Sequence, residues 1–325
     1  VVLAEEMHLP LFEQLLKDPK TAYEAGGAAQ NTCRVCAWML STVKKEKRPS
    51  TAYVGRAGDD ENGRKLAALA VDAGLRATYE IDKERRPTGR LATLVNRGTG
   101  SRTMVADLGA STHYDPGHLE EHIPSRLLEE SSIIVTDGFF LTHSGGVEAV
   151  ERVGKHVAAC ASQGEAKVLV LNLGAPYICE HFGKALNSVL PHVDLLIGNR
   201  LEMVELARQK GFEVDEEDPD IAALCIAFAS LPKNSGARGR VVVATGGPDD
   251  TIVVENGIEK RFAVAPLNKQ SIVDRNGAGD AFAGAFLSQL LQKRPVEDCV
   301  HAAHWAARLV IQRSGVALPE ECDYA

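Results

Sequence analysis

Short apolar runs rich in β-branched residues recur along the chain and are typical of buried strands. They lie at residues 133–135, 168–171, 195–197, 241–244 and 252–254. Segments with helical periodicity separate most of them or flank them, at residues 61–73, 118–130, 146–161, 180–189 and 201–209. Strands that alternate with helices predict an α/β fold, with a doubly wound, mostly parallel sheet and helices on both faces. Ligands of such sheets bind at the carboxyl ends of the strands.

Residues 77–108 break this alternation. Strand candidates lie at residues 79–81, 91–95 and 104–106, and residues 97–100 (RGTG) favour a turn between the last two. No helical pattern accompanies them. The segment therefore predicts a small antiparallel appendage, such as a β-lid, with an edge meander of the main sheet as the alternative.

The composition of the chain argues against nucleic acid and membranes as binding partners. The 325 residues fit one large α/β domain with a smaller appendage, and 45% hydrophobic and 25% charged residues are ordinary for a globular protein. A net charge of −8 without a long basic run argues against nucleic acid. No apolar run has the roughly 18–20 residues of a membrane helix, so we expect no membrane partner. Seven scattered cysteines indicate reduced thiols and a cytoplasmic location, with the lone pair Cys33 and Cys36 packed in the core.

The strongest chemical signal is a glycine-rich turn before an apolar helix, DRNGAGDAFAGAFL at residues 274–287. Gly277, Ala278 and Gly279 have little or no side chain, so their N–H groups can approach an anion closely. The first turn of the helix adds unpaired N–H groups and the positive end of its dipole. Asp280 lies beside this anion site, where a carboxylate can take the proton of an attacking hydroxyl. An Asp that merely caps a helix is the structural alternative.

A second glycine turn, GGAAQNT at residues 26–32, follows a possible short strand at residues 21–24 and opens an apolar helix through Leu40. Asn31 offers a donor and an acceptor, which suits a sugar hydroxyl. The sequence contains no Walker P-loop and no dinucleotide fingerprint. ATP would therefore bind without a P-loop, and hydride transfer loses its sequence support.

These two segments resemble the two signatures of the ribokinase-like (PfkB) carbohydrate kinase family. Residues 198–202 (GNRLE) are similar to its Asn-x-x-Glu motif, and residues 245–250 to its nucleotide-side turn. Segments that look like the family's adenosine-phosphorylating members lie at residues 102–108, 138–142, 175–177, 301–307 and 315–319. The resemblance covers the whole chain. It implies a ribokinase-like fold with a small β-lid, the use of ATP and Mg²⁺, the phosphorylation of adenosine at its 5′-hydroxyl to give AMP, and a monomer.

The resemblance also implies residue roles. Asp280 would be the general base, with the anion hole at Gly277, Ala278 and Gly279. Arg102 would reach from the lid toward the transferred phosphate. Phe140, rather than Phe139, would stack on adenine. The implied substrate-binding residues are Gly27, Ala28, Asn31, Met104, Ala106, Phe139, Phe140, Tyr177 and Asn276. The implied ATP-binding residues are Asn199, Thr245, Gly247, Asn276, Gly277, Gly279 and His304, and Glu202 would hold Mg²⁺ through water.

The expected organisation is discontinuous. Residues 1–25 and 76–110 would form the lid, and residues 26–75 and 111–325 the large catalytic domain. Arg275 stands where the family usually has Ser or Thr, and Ala28 where its adenosine-phosphorylating members often have Ser. The family's first strand, which ends in an Asn-Pro-x-x-Asp stretch, is expected to be absent from this sequence.

Two other functions stay open from the sequence. The nearer one is a kinase of another nucleoside or of a free sugar such as ribose or fructose, because such enzymes share the same anion loop and base. The more distant one is a nucleoside-binding protein without catalysis. It predicts adenosine binding without release of ADP.

Overall fold

A computed structural model of the chain describes residues 2–95, 102–234 and 238–324. For Val95 and Arg102 it describes the backbone but not the side chain. The expected turn at residues 97–100 lies outside the described residues. The strands are Val2–Leu3 (β1), Thr51–Ala57 (β2), Leu75–Ile81 (β3), Arg90–Val95 (β4), Arg102–Asp107 (β5), Ile133–Asp137 (β6), Val168–Asn172 (β7), Leu195–Asn199 (β8), Val241–Gly246 (β9), Asp249–Glu255 (β10) and Ile258–Phe262 (β11). The α-helices are Leu9–Lys17 (α1), Ala28–Leu40 (α2), Glu61–Asp72 (α3), His122–Glu130 (α4), Gly146–Ser162 (α5), Pro176–His181 (α6), Gly183–Val189 (α7), Arg200–Gln209 (α8), Ile221–Ser230 (α9), Ala278–Leu291 (α10) and Val296–Val310 (α11).

The main sheet has six strands in the order β11-β10-β9-β8-β7-β6. Strands β6 to β9 run parallel to one another, and β10 and β11 extend the sheet as antiparallel strands. The predicted doubly wound, mostly parallel sheet is confirmed, and all five predicted strand segments lie in it. In this register Asp137 pairs with Asn172 and Asn199 pairs with Thr245, so their side chains come to the same edge of the sheet.

Both faces of this sheet are covered because successive strand side chains point to opposite sides. Leu169 and Leu171 of β7 belong to a core cluster with α5, α7, α8 and α9. Val168 and Val170 of the same strand belong to a cluster with α2, α10 and α11. Because both faces are covered, these strands are apolar on both sides up to the polar residues at their carboxyl ends.

The small β-structure differs from the expectation. Strands β4 and β5 form the expected antiparallel pair, and β1 adds to β5 in parallel. Strand β3, which contains residues 79–81, was expected to pair antiparallel in this small sheet, and that pairing is wrong. It pairs in parallel with β2 instead, since α3 provides the crossover that a parallel pair requires.

Three local expectations are also corrected. Residues 21–27 have no regular secondary structure, so the short strand at 21–24 is absent. The helix expected from residue 118 begins at His122, because Pro124 cannot donate an N–H to an earlier turn and is tolerated in a first turn. The helix expected at 180–189 is interrupted at Phe182 (φ −112°, ψ 30°), which separates α6 from α7.

The first helix of the chain ties its beginning to the small sheet. Phe12 of α1 packs on Ala92 of β4 and Val105 of β5.

Cys33 and Cys36 are buried, and burial raises the pKa of both thiols to about 12, as expected for packed rather than reactive cysteines. Within the described ranges, the helices are all too short or too polar to traverse a bilayer.

Candidate active site

A cleft of about 1830 Å³ opens at the carboxyl edge of the main sheet and extends to the small sheet. Its walls include both glycine-rich turns identified in the sequence. The residues expected at the site that line this cleft are Gly27, Ala28, Asn31, Met104, Ala106, Phe139, Phe140, Tyr177, Asn199, Glu202, Thr245, Asn276, Gly277, Gly279 and Asp280. Segments from seven parts of the chain therefore meet in one concave site, which is the usual setting of a small-molecule site.

The anion loop depends on a glycine at position 277. Gly277 is the N-cap of α10 and has left-handed backbone angles (φ 73°, ψ 0°). A Cβ there would lie 2.2 Å from Val316 Cγ2, so an L side chain is excluded by both strain and space. The helix then turns at once, since the Ala281 N–H donates to the Gly277 carbonyl at 2.8 Å. Gly277 and Gly279, at the start of this turn, line the cleft.

Asp274 holds this loop in place. One carboxylate oxygen, Oδ1, accepts from the Asn276 N–H at 2.9 Å, and Oδ2 accepts from the Gly315 N–H at 2.9 Å. The side chain is only 3% exposed. Charge-assisted bonds to backbone N–H groups are strong when buried, so Asp274 fastens the anion loop to the C-terminal segment.

Asp280 lies in the first turn of α10, next to Asn31 of α2. Asn31 Nδ2 donates to Asp280 Oδ2 at 3.0 Å. Burial raises the pKa of Asp280 to about 7, the hydrogen bond from Asn31 lowers it, and the negative charge of Asp137 raises it further. A carboxyl that titrates near neutrality is suited to general-base catalysis.

Asp137 was not singled out in the sequence. It ends β6, is 6% exposed, and its Oδ1 accepts from the Phe140 N–H at 3.0 Å. It also accepts from the N–H groups of Phe139 and Ala29, while burial raises its pKa. Asp137 thus joins the aromatic turn after β6 to the start of α2. Its position at the carboxyl end of a predicted parallel strand was a signal that could have found it.

Aromatic side chains form one wall of the cleft. Phe139 faces Tyr177 with ring centroids 6.4 Å apart, and Tyr177 is 45% exposed. Phe140 packs edge-on against Tyr114 at 5.2 Å and against His143 at 6.3 Å. An exposed aromatic face beside a polar turn can stack on a planar ring.

Glu202 and Asn199 form a reciprocal cap at the start of α8. Asn199 Oδ1 accepts from the Glu202 N–H at 3.0 Å, and Glu202 Oε2 accepts from the Asn199 N–H at 2.8 Å. Glu202 is 4% exposed, and burial raises its pKa to about 7. Across the described parts of the chain, no group of three or more His, Cys, Asp or Glu side chains could hold a metal ion by itself.

Four expected site residues are placed differently or not described. Ala278 does not line the cleft, and its N–H makes a long turn bond of 3.4 Å to the Arg275 carbonyl. Gly247 lies in the β9–β10 turn, and His304 is hydrogen-bonded through Nε2 to Thr251 Oγ1 at 2.8 Å; neither lines the cleft. Arg102 begins β5, but its side chain is outside the described residues.

Arg34 is a second residue that the sequence analysis missed. Its Nη1 donates to Asn31 Oδ1 and to the Ala25 carbonyl, both at 3.3 Å. Its spacing of three residues from Asn31 places both on one face of α2. No sequence signal connects this pair to Asp280, which lies 249 positions from Asn31, so only the fold reveals the contact.

Comparison with known proteins identifies the class to which this fold and cleft belong. The model of the pfkB family carbohydrate kinases matches residues 1–322, and the chain belongs to this family. Among its relatives, adenosine kinase 1 of Arabidopsis thaliana is 38% identical over 99% of this chain and 88% of that protein. Adenosine kinase of Schizophyllum commune is 36% identical over 97% and 87%.

Solved structures give the same picture. The structure of Anopheles gambiae adenosine kinase in complex with P1,P4-di(adenosine-5) tetraphosphate matches with a TM-score of 0.86 and 33% identity. That match covers 100% of this chain and 90% of the other. The chain therefore has the ribokinase-like fold that its two signatures implied.

Proposed function

We propose that this protein is an adenosine kinase, which transfers the γ-phosphoryl group of ATP to the 5′-hydroxyl of adenosine and releases AMP and ADP. One observation carries the proposal. Asp280, with its raised pKa, stands in the first turn of α10 directly after the glycine loop, so a proton acceptor and an anion site lie side by side. The named relatives, which match over nearly the whole chain, support adenosine as the substrate.

Asp280 acts on the attacking hydroxyl. As the 5′-oxygen bonds to the γ-phosphorus, the bond from phosphorus to the bridging oxygen of ADP breaks, and the hydroxyl proton passes to the Asp280 carboxylate. The N–H groups at the start of α10, near Gly277 and Gly279, stabilise the negative charge on the transferring group. Positioning and electrostatics supply most of the acceleration, because phosphoryl transfer needs little covalent chemistry from the protein.

The nucleoside occupies the part of the cleft between α2 and the aromatic wall. Asn31 and the backbone at Gly27 and Ala28 hold the ribose. The adenine stacks on one of the two phenylalanines, for which we retain Phe140, with Tyr177 alongside. Met104 and Ala106 of β5 cover it from the small sheet.

The donor side of the cleft fits ATP and Mg²⁺. A Cβ at Gly279 would meet no atom within 4 Å, so the space beside the turn at Gly277 is open to phosphate oxygens. Asn276, Thr245 and Asn199 line the approach to it, and we propose that His304 and Gly247 lie at its outer end. Glu202 would hold Mg²⁺ through water, and the ion supplies charge neutralisation on the phosphates.

The small sheet is proposed to be a lid. In this organisation residues 1–25 and 76–110 close over residues 26–75 and 111–325, and Arg102 reaches the transferred phosphate. The β2–β3 pair straddles the boundary at residue 76 and joins the two parts. Closure would exclude water, so that ATP is not hydrolysed in place of transfer. We further propose a cytoplasmic monomer.

The proposed function is tested by a coupled assay of ADP release from ATP and Mg²⁺. Adenosine, inosine, guanosine, ribose and fructose are offered separately. We expect release with adenosine and little with the free sugars, since these lack a ring to stack on the aromatic wall. Release with a sugar alone would reassign the substrate. Adenosine binding by calorimetry without ADP release would mean that the chain binds nucleosides without catalysis.

A further inference from the structure

Arg34 contacts Asn31, and Asn31 contacts Asp280, the proposed base. On α2, Arg34 follows Asn31 by one turn, and its Nη1 donates to Asn31 Oδ1 at 3.3 Å. Asn31 Nδ2 in turn donates to Asp280 Oδ2 at 3.0 Å. The same Nη1 donates to the Ala25 carbonyl at 3.3 Å, which anchors the guanidinium to the loop before the helix.

The direction of this chain of hydrogen bonds is fixed by the chemistry of arginine. A guanidinium only donates, so it must face the amide oxygen of Asn31 and not the amide nitrogen. The amide nitrogen is then turned toward Asp280, where it can serve only as a donor. A donor in this position favours the ionised carboxylate over the protonated acid.

Without Arg34 the Asn31 amide could rotate by half a turn. Its oxygen would then face Asp280 and could accept a hydrogen bond from the protonated carboxyl. That arrangement would hold the proton on Asp280 and stabilise the inactive form of the base. The orientation of one amide therefore decides which protonation state of Asp280 is favoured.

We propose that Arg34 is a positioning residue for phosphoryl transfer, which fixes the Asn31 amide so that it donates to the carboxylate of Asp280. The inference rests on the proposed function for the role of Asp280 as the base. The orientation of Asn31 does not depend on it, because it follows from the hydrogen-bond geometry alone.

Other charged groups lie on the elements that carry this hydrogen-bonded chain. Asp137 at the end of β6 raises the pKa of Asp280. Burial raises the pKa of Glu24, in the loop before α2, and Asp274 raises it further, while Arg34 lowers it. Burial lowers the pKa of Arg34, and Glu24 raises it. The acid that acts on Asp280 is therefore Asp137 of β6, and Arg34 bonds to its amide partner Asn31 while it interacts with Glu24.

The direct test is a ¹³C NMR titration of the Asp280 carboxyl in the wild type, Arg34→Met and Arg34→Lys, with Asp280→Asn to assign the signal. Methionine keeps the apolar stem and removes the donor. We expect the Asp280 midpoint to rise by about one pH unit in Arg34→Met, equivalent to about 1.4 kcal/mol. Lysine retains a donor, so the shift in Arg34→Lys should be at most half of that in Arg34→Met. If Arg34→Met does not fold, Arg34→Leu, which also removes the donor, takes its place.

The kinetic counterpart is the pH dependence of kcat/KM for adenosine. In Arg34→Met the acidic limb should move upward by about one pH unit, which is about a tenfold loss at low pH with recovery at high pH. The titration of ATP itself is common to both enzymes and cancels in the comparison. Arg126→Met, which removes an exposed arginine of α4, is the matched control and should leave the limb unchanged.

The outcomes separate the two proposals. An unmoved Asp280 midpoint in folded Arg34→Met, or an equal loss of activity at every pH, would overturn the role of Arg34. A shifted midpoint in a protein whose wild type does not phosphorylate adenosine would support the positioning of Asn31 and overturn the proposed function.

Discussion

In the proposed role of Asp280, catalysis and stability oppose each other. The native state binds its proton more tightly than the unfolded chain, because the pKa of Asp280 rises from 3.8 to about 7 on burial. The free energy of unfolding therefore decreases as the pH rises from about 4 to about 7, and it stays lowered above that range. The cost of keeping an ionised carboxylate at the cleft is what makes the residue basic enough to act.

Asp280→Asn should accordingly be more stable than the wild type at pH 8, by up to about 4 kcal/mol, and equally stable near pH 4. Thermal unfolding of both proteins between pH 4 and 8 measures this. A constant difference in Tm across the whole range would show that Asp280 is not titrating near neutrality.

Glu202 offers a second test at the residue level. Glutamine also suits a capping box, so Glu202→Gln should keep α8 folded. If Glu202 helps to hold Mg²⁺ through water, the variant should need about tenfold more Mg²⁺ for half-maximal rate, a loss of about 1.4 kcal/mol. The measurement is a Mg²⁺ titration at constant free ATP. An unchanged Mg²⁺ requirement would leave Glu202 with a capping role alone.

The role of a single residue can be proposed from the sequence where its chemistry is local. Asp280 follows a glycine turn and precedes an apolar helix, so neighbours in the chain define its role. Arg34 and Asp137 act on residues distant in sequence. Their roles depend on how α2, β6 and α10 pack, which the local pattern does not contain.

At the scale of elements, the site depends on the close approach of α2 and α10. Gly284 of α10 faces α2, where an added Cβ would lie 2.5 Å from the Thr32 carbonyl oxygen and 2.8 Å from Val35 Cβ. The two helices carry Asn31 and Asp280. Their separation therefore sets the hydrogen bond between the two side chains.

Gly284→Ala should push these helices apart and destabilise the protein by about 1–3 kcal/mol, as overpacking does. Turnover should fall along with stability, because the Asn31–Asp280 distance lengthens. Gly239→Ala is the matched control, since the nearest atom to an added Cβ there is Asn256 Oδ1 at 3.8 Å. Denaturant unfolding and kcat check both. A Gly284→Ala enzyme with wild-type stability would contradict the packing argument.

The strands and helices were predictable where a regular pattern of apolar residues marks them. Strands β6 to β9 were found at their observed places because buried parallel strands contain runs of apolar residues, and β10 was found by the similar run at residues 252–254. The predicted pairing of β3 was wrong because the residue pattern of a strand does not indicate which strand lies beside it. The break at Phe182 and the late start of α4 follow from backbone angles and Pro124, which periodicity alone does not weigh.

At the scale of the molecule, the cleft lies between the main sheet and the small sheet β1-β5-β4. The proposed lid presents exposed apolar side chains, among them Leu3 at 62% and Leu91 at 55%, on the cleft wall. Exposed apolar groups at a ligand cleft indicate a surface that becomes buried when the ligand binds. The sequence predicted a β-appendage, but not how β1 and α1 complete it.

Adenosine should therefore slow hydrogen exchange at residues 91–94 and 103–106, by about tenfold at saturating ligand. Mass spectrometry with and without adenosine measures this, and β11 at the far edge of the main sheet is the internal control. Equal protection of both regions would indicate general stabilisation without closure of a lid.

The central claim is that Asp280 is the base of an adenosine kinase, and the most direct test is single-turnover formation of AMP by wild type and Asp280→Asn. We predict a rate reduced by about 10²–10⁴ in the variant, the usual contribution of a general base, with adenosine affinity nearly unchanged by calorimetry. AMP formation by Asp280→Asn at close to the wild-type rate would contradict the account.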